Sequence, residues 1–126
     1  MTTQEVANQL VKLCREGKFE ECIQSLYSPD IVSIEPEGGP WETRVQGYEA
    51  LAQKGKQWND MLAEFHSSDI SDPLVAENFF SITMKSNVTL KGMNEPIAMD
   101  EVCVYQVENG KVVTEQFFYT PMPQPA

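Results

Sequence analysis

Three acids and one histidine carry the first chemical clues. Glu35 closes an apolar run, Ile31-Val32-Ser33-Ile34, and is followed by Pro36, Glu37, Gly38, Gly39, Pro40 and Trp41. On a strand, side chains alternate between faces, so Ile31, Ser33 and Glu35 point the same way. If that way is inward, Glu35 stands at the mouth of a pocket; if outward, it is a surface acid where the chain turns. Burial in an apolar cavity raises a carboxyl's pKa, which suits a base working near neutrality. Asp100 and Glu115 flank an Asn109-Gly110 pair, the strongest short signal for a β-hairpin. His66 is the only histidine. It reads either as a partly buried polar side chain or as a helper in proton return. One histidine and scattered acids have no metal-ligand spacing, so no metal is expected.

The hairpin fixes an expected register. With a two-residue turn, Glu108 faces Lys111; counting outward, Val104 faces Glu115, Val102 faces Phe117 and Asp100 faces Tyr119. Asp100, Val102, Val104, Glu115, Phe117 and Tyr119 then share one face, and Cys103, Tyr105, Val107, Val112 and Phe118 the other. Both faces are largely apolar, which a sheet with one wet face does not need. One face should cover the helices and the other a second copy of the chain, so a homodimer through the outer sheet face is expected. Asp100 opposite Tyr119 is either a polar pair reaching water or part of a polar cluster in an apolar cavity.

The elements that must position these groups follow from periodicity. Thr2 and Glu5 have capping-box spacing, and Val6, Leu10, Leu13 and Cys14 form a helical stripe that Gly17 ends. Phe19, Cys22, Ile23 and Leu26 make a second stripe, stopped by Ser28-Pro29-Asp30. A short strand over 31–35 and a loop through Gln46 lead to a third helix from Tyr48 to about Leu62, with Leu51, Trp58 and Leu62 on one stripe and Gly55 suggesting close packing on the sheet. Lys54 to Lys56 reads as a solvated helix face. Strands are expected over 65–71, 79–90, 97–108 and 111–119, with a connection over 73–78. Helices first and antiparallel strands after is an α+β pattern.

Length and composition set the outer bounds. The 126 residues suit one domain, taken as 1–120, with a flexible proline-rich tail at 121–126. Net charge −10 with only nine basic residues argues against nucleic acid and against an anionic membrane surface. No stretch approaches the roughly 20 apolar residues of a membrane span, and the N-terminus lacks a signal-peptide pattern, so a cytoplasmic protein is expected. Cys14, Cys22 and Cys103 have neither disulfide nor zinc spacing and read as buried thiols.

The order of elements, with "SIEPEGG", "IAMDEVCVY" and "ENGKVVTEQFFY", resembles the nuclear transport factor two-like superfamily. The resemblance implies a cone-shaped, cystatin-like α+β fold: three N-terminal helices on a curved, mostly antiparallel sheet. Ketosteroid isomerase and SnoaL-like polyketide cyclases share it. By resemblance, Glu35 before Pro36-Glu37-Gly38 matches the isomerase's general base, and Asp100 in Pro96-Ile97-Ala98-Met99-Asp100 matches its oxyanion acid, with two extra residues. The isomerase's helix-one tyrosine is replaced by Leu10. Glu115 is the match for a cyclase's cavity acid, with His66 as helper. The implied activity is cofactor-free acid–base chemistry of isomerase or cyclase type on a small hydrophobic carbonyl compound. Glu35 would move a proton, Asp100 and Tyr119 would stabilise an oxyanion, and Glu115 or His66 would return the proton. Trp41, Trp58, Met84, Phe117 and Tyr119 are the ligand-binding candidates: Met84, Phe117 and Tyr119 read as cavity wall or as core filling, Trp41 after Gly38-Gly39-Pro40 as a lid or pocket wall, and Trp58 on the buried helix stripe as core packing. The alternative is a non-catalytic binding module with the same pocket.

Overall fold

Thr2 begins the first helix by satisfying free backbone donors. Its hydroxyl accepts from the Glu5 N–H at 3.1 Å, and the Glu5 carboxylate accepts from the Thr2 N–H at 2.9 Å, a complete capping box. The computed structural model describes residues 1–121. Helix α1 (Thr3–Arg15) buries Val6, Ala7, Leu10, Val11, Leu13 and Cys14. Gly17, at φ +73°, turns the chain into α2 (Phe19–Leu26), as its lack of a Cβ allows.

The strands are β1 (Tyr27–Ile34), β2 (Arg44–Gln46), β3 (Leu62–Ile70), β4 (Leu74–Ala76), β5 (Phe79–Leu90), β6 (Ile97–Glu108) and β7 (Lys111–Phe118), with α3 (Tyr48–Met61) between β2 and β3. They form a seven-stranded sheet in the order β2-β1-β7-β6-β5-β3, with β4 pairing β5. All pairs are antiparallel except β1 with β7. The helices pack on this curved sheet, and the core joins α1 and α2 to the inner residues of β1, β5, β6 and β7, including a stacked Phe80–Tyr105 pair with ring centroids 4.8 Å apart. Among the described residues, no helix is long and apolar enough to cross a membrane. The expected connection over 73–78 holds the short strand β4, and the loop before α3 holds β2. Residues 122–126, most of the expected tail, lie outside those described.

The hairpin corrects the expected register. Asn109 and Gly110 both have positive φ, as a tight two-residue turn requires, and Glu108 does face Lys111. One step further the register slips: Val107 pairs with Val112, but Gln106 pairs with Thr114. Val113 is the extra residue of a bulge, and a one-residue slip exchanges the faces of everything beyond it. Glu115 therefore faces Tyr105, and Phe117 faces Cys103, on the inner side; Phe118 faces Val102 on the outer side. Asp100 falls with Lys85 and Val102 around an outer recess, away from Glu115. The expectation that Asp100 shares a face with Glu115, Phe117 and Tyr119 is overturned by this bulge.

Two expectations for α3 are also corrected. Gly55 has open space where a Cβ would stand, so it makes no close approach to the sheet. The buried stripe instead runs through Leu51 and Lys54, whose side chain is only 17% exposed, rather than leaving Lys54 in solvent.

Candidate functional site

β1 delivers a row of inward groups. Ile31 and Ser33 alternate along it, Glu35 follows in the same phase just past its end, and all three are buried. β7 lies parallel beside it, with Ser33 in register with Glu115. The Ser33 hydroxyl donates to Glu115 Oε2 at 2.7 Å, and the Tyr27 phenol donates to Glu115 Oε1 at 2.5 Å. From α3, Lys54 Nζ reaches down to Ser33 Oγ at 2.8 Å and to Glu35 Oε2 at 3.2 Å, passing 5.1 Å from the centroid of the Phe117 ring. Just beyond β7, the half-buried Tyr119 donates its phenolic proton to Glu35 Oε1 at 3.0 Å. The result is one continuous chain: Tyr119, Glu35, Lys54, Ser33, Glu115, Tyr27.

A cavity of about 180 Å³ opens against the far end of this chain. Phe19, Ile23, Met84 and Phe117 supply apolar wall. Tyr27, Glu101 and Glu115 supply polar groups. Glu101 comes from β6, where it pairs with Met84, and its Oε1 takes only a weak contact, 3.6 Å, from the Cys103 thiol.

The electrostatics separate the carboxyls. Burial, then repulsion from Glu35 and Glu115, pushes Glu101 up to about 7, with the Cys103 contact and Lys54 opposing. Burial also raises Glu115, against the lowering hydrogen bonds of Tyr27 and Ser33 and the charge of Lys54. Both shifts follow from taking carboxyls out of water. The phenols of Tyr27 and Tyr119 are raised, first by burial and then by the carboxylate that each faces.

The structure brings together Glu35, Glu115, Met84, Phe117 and Tyr119 of the expected residues. It does not bring Asp100, which is exposed on the outer side, or His66, which is exposed on β3 and bonds Thr89 at 2.7 Å. Trp41 and Trp58 are half-buried and are not among the residues lining this cavity. Glu101, Lys54, Tyr27 and Ser33 were not singled out by sequence reasoning, although three of them left a signal. Glu101 shares strand parity with Cys103 and Tyr105, Tyr27 shares it with Ile31 and Glu35, and Lys54 lies three residues past Leu51. Among the described residues, no group of three or more histidine, cysteine, aspartate or glutamate side chains stands together as a metal site.

A model of the SnoaL-like domain matches residues 1–119. No curated protein sequence matches the chain. Among solved structures, a Mesorhizobium loti protein provisionally assigned as a SnoaL-like polyketide cyclase is 34% identical; the match covers 94% of this chain and all of that one, with TM-score 0.87. TerC, crystallised with polyporic acid, is 15% identical with TM-score 0.75, covering 94% and 91% of the two chains. A Catenulispora acidiphila protein with a ketosteroid isomerase-like fold, in complex with trimethylamine, is 16% identical with TM-score 0.72, covering 92% and 85%. The last two are likenesses of fold.

Proposed function

For this chain, which belongs to the SnoaL-like domain family, we propose cofactor-free proton transfer on a small carbonyl compound held in the inner cavity. The observation that carries this reading is the pair of dissimilar carboxyls on one cavity wall. Glu115 is held at both oxygens by Tyr27 and Ser33, whereas Glu101 has a nearly free oxygen and a pKa of about 7. A carboxylate at that value accepts a proton from carbon near neutrality and remains able to return it. Glu101 thus takes the base role expected of Glu35, which is occupied by Lys54 and Tyr119 and balances the lysine charge. Apolar walls around a few polar groups suit a small, mostly apolar ligand. The polyporic acid and trimethylamine complexes of proteins with this fold support small-molecule binding.

The test is deuterium incorporation next to the carbonyl of small ketones and 1,3-diketones in D2O, followed by proton NMR. The native protein should promote exchange, and Glu101→Gln should reduce it about 100-fold or more, the span expected of a general base. Binding that survives Glu101→Gln, with exchange in neither form, assigns the cavity to a carrier instead.

A second copy of this chain is the proposed partner of the outer sheet face. Thr83, Val102 and Phe118 line up across β5, β6 and β7, and Val102 and Phe118 are 42% and 48% exposed. Light scattering at micromolar concentration should give a dimer that Phe118→Asp dissociates; a monomeric native protein refutes it. The three free, buried cysteines fit the reducing cytoplasm.

A further inference from the structure

Helix α1 offers no phenol to the cavity, because Leu10 fills the core there. A phenol reaches it from another element. Tyr27, where α2 passes into β1, is buried, lines the cavity and donates to Glu115 Oε1 at 2.5 Å. We propose that Tyr27 is the second catalytic group, the donor to the ligand's carbonyl oxygen, loaded from behind by Glu115. This inference rests on reading the cavity as a proton-transfer site.

The proton on the Tyr27–Glu115 contact has two placements. With Glu115 ionised, the phenol donates backward and offers the ligand nothing. With Glu115 protonated on Oε1, the acid donates to Tyr27 Oη, and the phenolic hydrogen is free to turn into the cavity. In that second state, the step closes. Glu101 takes the proton from the carbon beside the carbonyl, the C–H electrons form the C=C bond, and the carbonyl π electrons move to oxygen. Tyr27 gives its proton to that oxygen and takes the proton held by Glu115. The ligand becomes a neutral enol, Glu101 an acid and Glu115 a carboxylate, so protons and charge balance. The new Glu115 carboxylate is met on its other oxygen by Ser33, itself held by Lys54. The rest of the chain, Glu35 and Tyr119, fixes Lys54 in that position. The charge that develops is therefore received by groups already aligned, which is where electrostatic stabilisation is most effective.

The probe is 4-nitrophenol, whose phenolate presents a planar oxyanion and is read by its visible absorbance. The native protein should bind it, and Tyr27→Phe should weaken binding at least about tenfold, the scale of a hydrogen bond to a charged group. Thermal unfolding checks that the variant is folded. If Tyr27→Phe does not fold, Glu115→Gln decides, since its amide imitates the protonated acid and leaves the phenol free to donate: retained binding supports the proposal, and lost binding overturns it. Equal affinity in native protein and Tyr27→Phe, or no binding by the native protein, also overturns it. Exchange of ketone protons that Glu101→Gln abolishes and Tyr27→Phe leaves intact removes the Tyr27 role alone. Phenolate binding that depends on Tyr27, with no exchange on any carbonyl compound, removes the catalytic reading alone.

Discussion

Lys54 is the cation of the cluster, and replacing it with methionine tests the electrostatic account directly. Its ammonium lies 3.2 Å from Glu35 and 2.8 Å from Ser33, with the lysine side chain 17% exposed and that of Glu35 6% exposed. Methionine keeps the apolar stem and removes the charge. Glu35 is then a buried carboxylate with a neutral phenol as its remaining partner. Breaking a buried pair from one side costs about 3–5 kcal/mol, because an uncompensated charge stays inside. Adding Glu35→Gln removes that charge while keeping an acceptor for Tyr119, so the double variant should recover to within roughly 1–2 kcal/mol of the native protein, as neutral replacements of buried pairs do. Urea denaturation measures all four forms, and the non-additivity gives the coupling between the two residues. A loss below about 1 kcal/mol in Lys54→Met, the value of an exposed pair, would refute the reasoning. So would a double variant no more stable than the single one.

Three further outcomes are expected. Burial holds Glu101 up at about 7 in the folded form against about 4.5 for a free glutamate, so the folded form binds the extra proton, and stability should fall as pH rises from about 4.5 to 7. The full penalty is on the order of 3 kcal/mol, and Glu101→Gln should flatten that part of the stability–pH curve; an unchanged slope contradicts the assignment. Deleting Val113 removes the extra residue and leaves Tyr105 opposite Glu115 and Cys103 opposite Phe117 in an unbroken ladder, so the inner face should be kept and the melting temperature should change only modestly; a sharp drop would show that the bulge itself, and not the cross-strand pairing, holds Glu115 inward. Gly110→Ala places a methyl 3.1 Å from the Met1 nitrogen at φ +75° and should cost about 1–2 kcal/mol in thermal unfolding; no loss would mean that the turn tolerates a side chain there.

Much of the fold was legible because its determinants are local. The capping box, the Gly17 stop, the alternation of β5 and the Asn109-Gly110 turn each act within a few residues, and each gave an element at the expected place. Strand parity also put Ser33 and Glu35 on one face with Ile31, and the structure turns that face inward. The family pattern in "SIEPEGG" and "IAMDEVCVY" pointed to the fold that the chain adopts.

The site was legible only in part, and the misreadings have physical causes. Counting outward from the turn assumed an unbroken ladder, and one inserted residue at Val113 reversed the two faces, exchanging Asp100 for Glu101 as the acid on the inner side. No local signal forces that bulge, since Val-Val-Thr is good strand sequence either way. Lys54 looked solvated because lysine on a polar helix normally is; only the approach of α3 to β1 gives it Ser33 and Glu35 as partners. Sequence by itself determined the three helices, the long strands and the tight turn, and that acids and apolar residues alternate along them; the short strands β2 and β4 came only with their pairing partners. Tertiary structure decided which acid meets which partner, because Tyr27 and Glu115 lie 88 positions apart and only the parallel pairing of β1 with β7 brings their strands together.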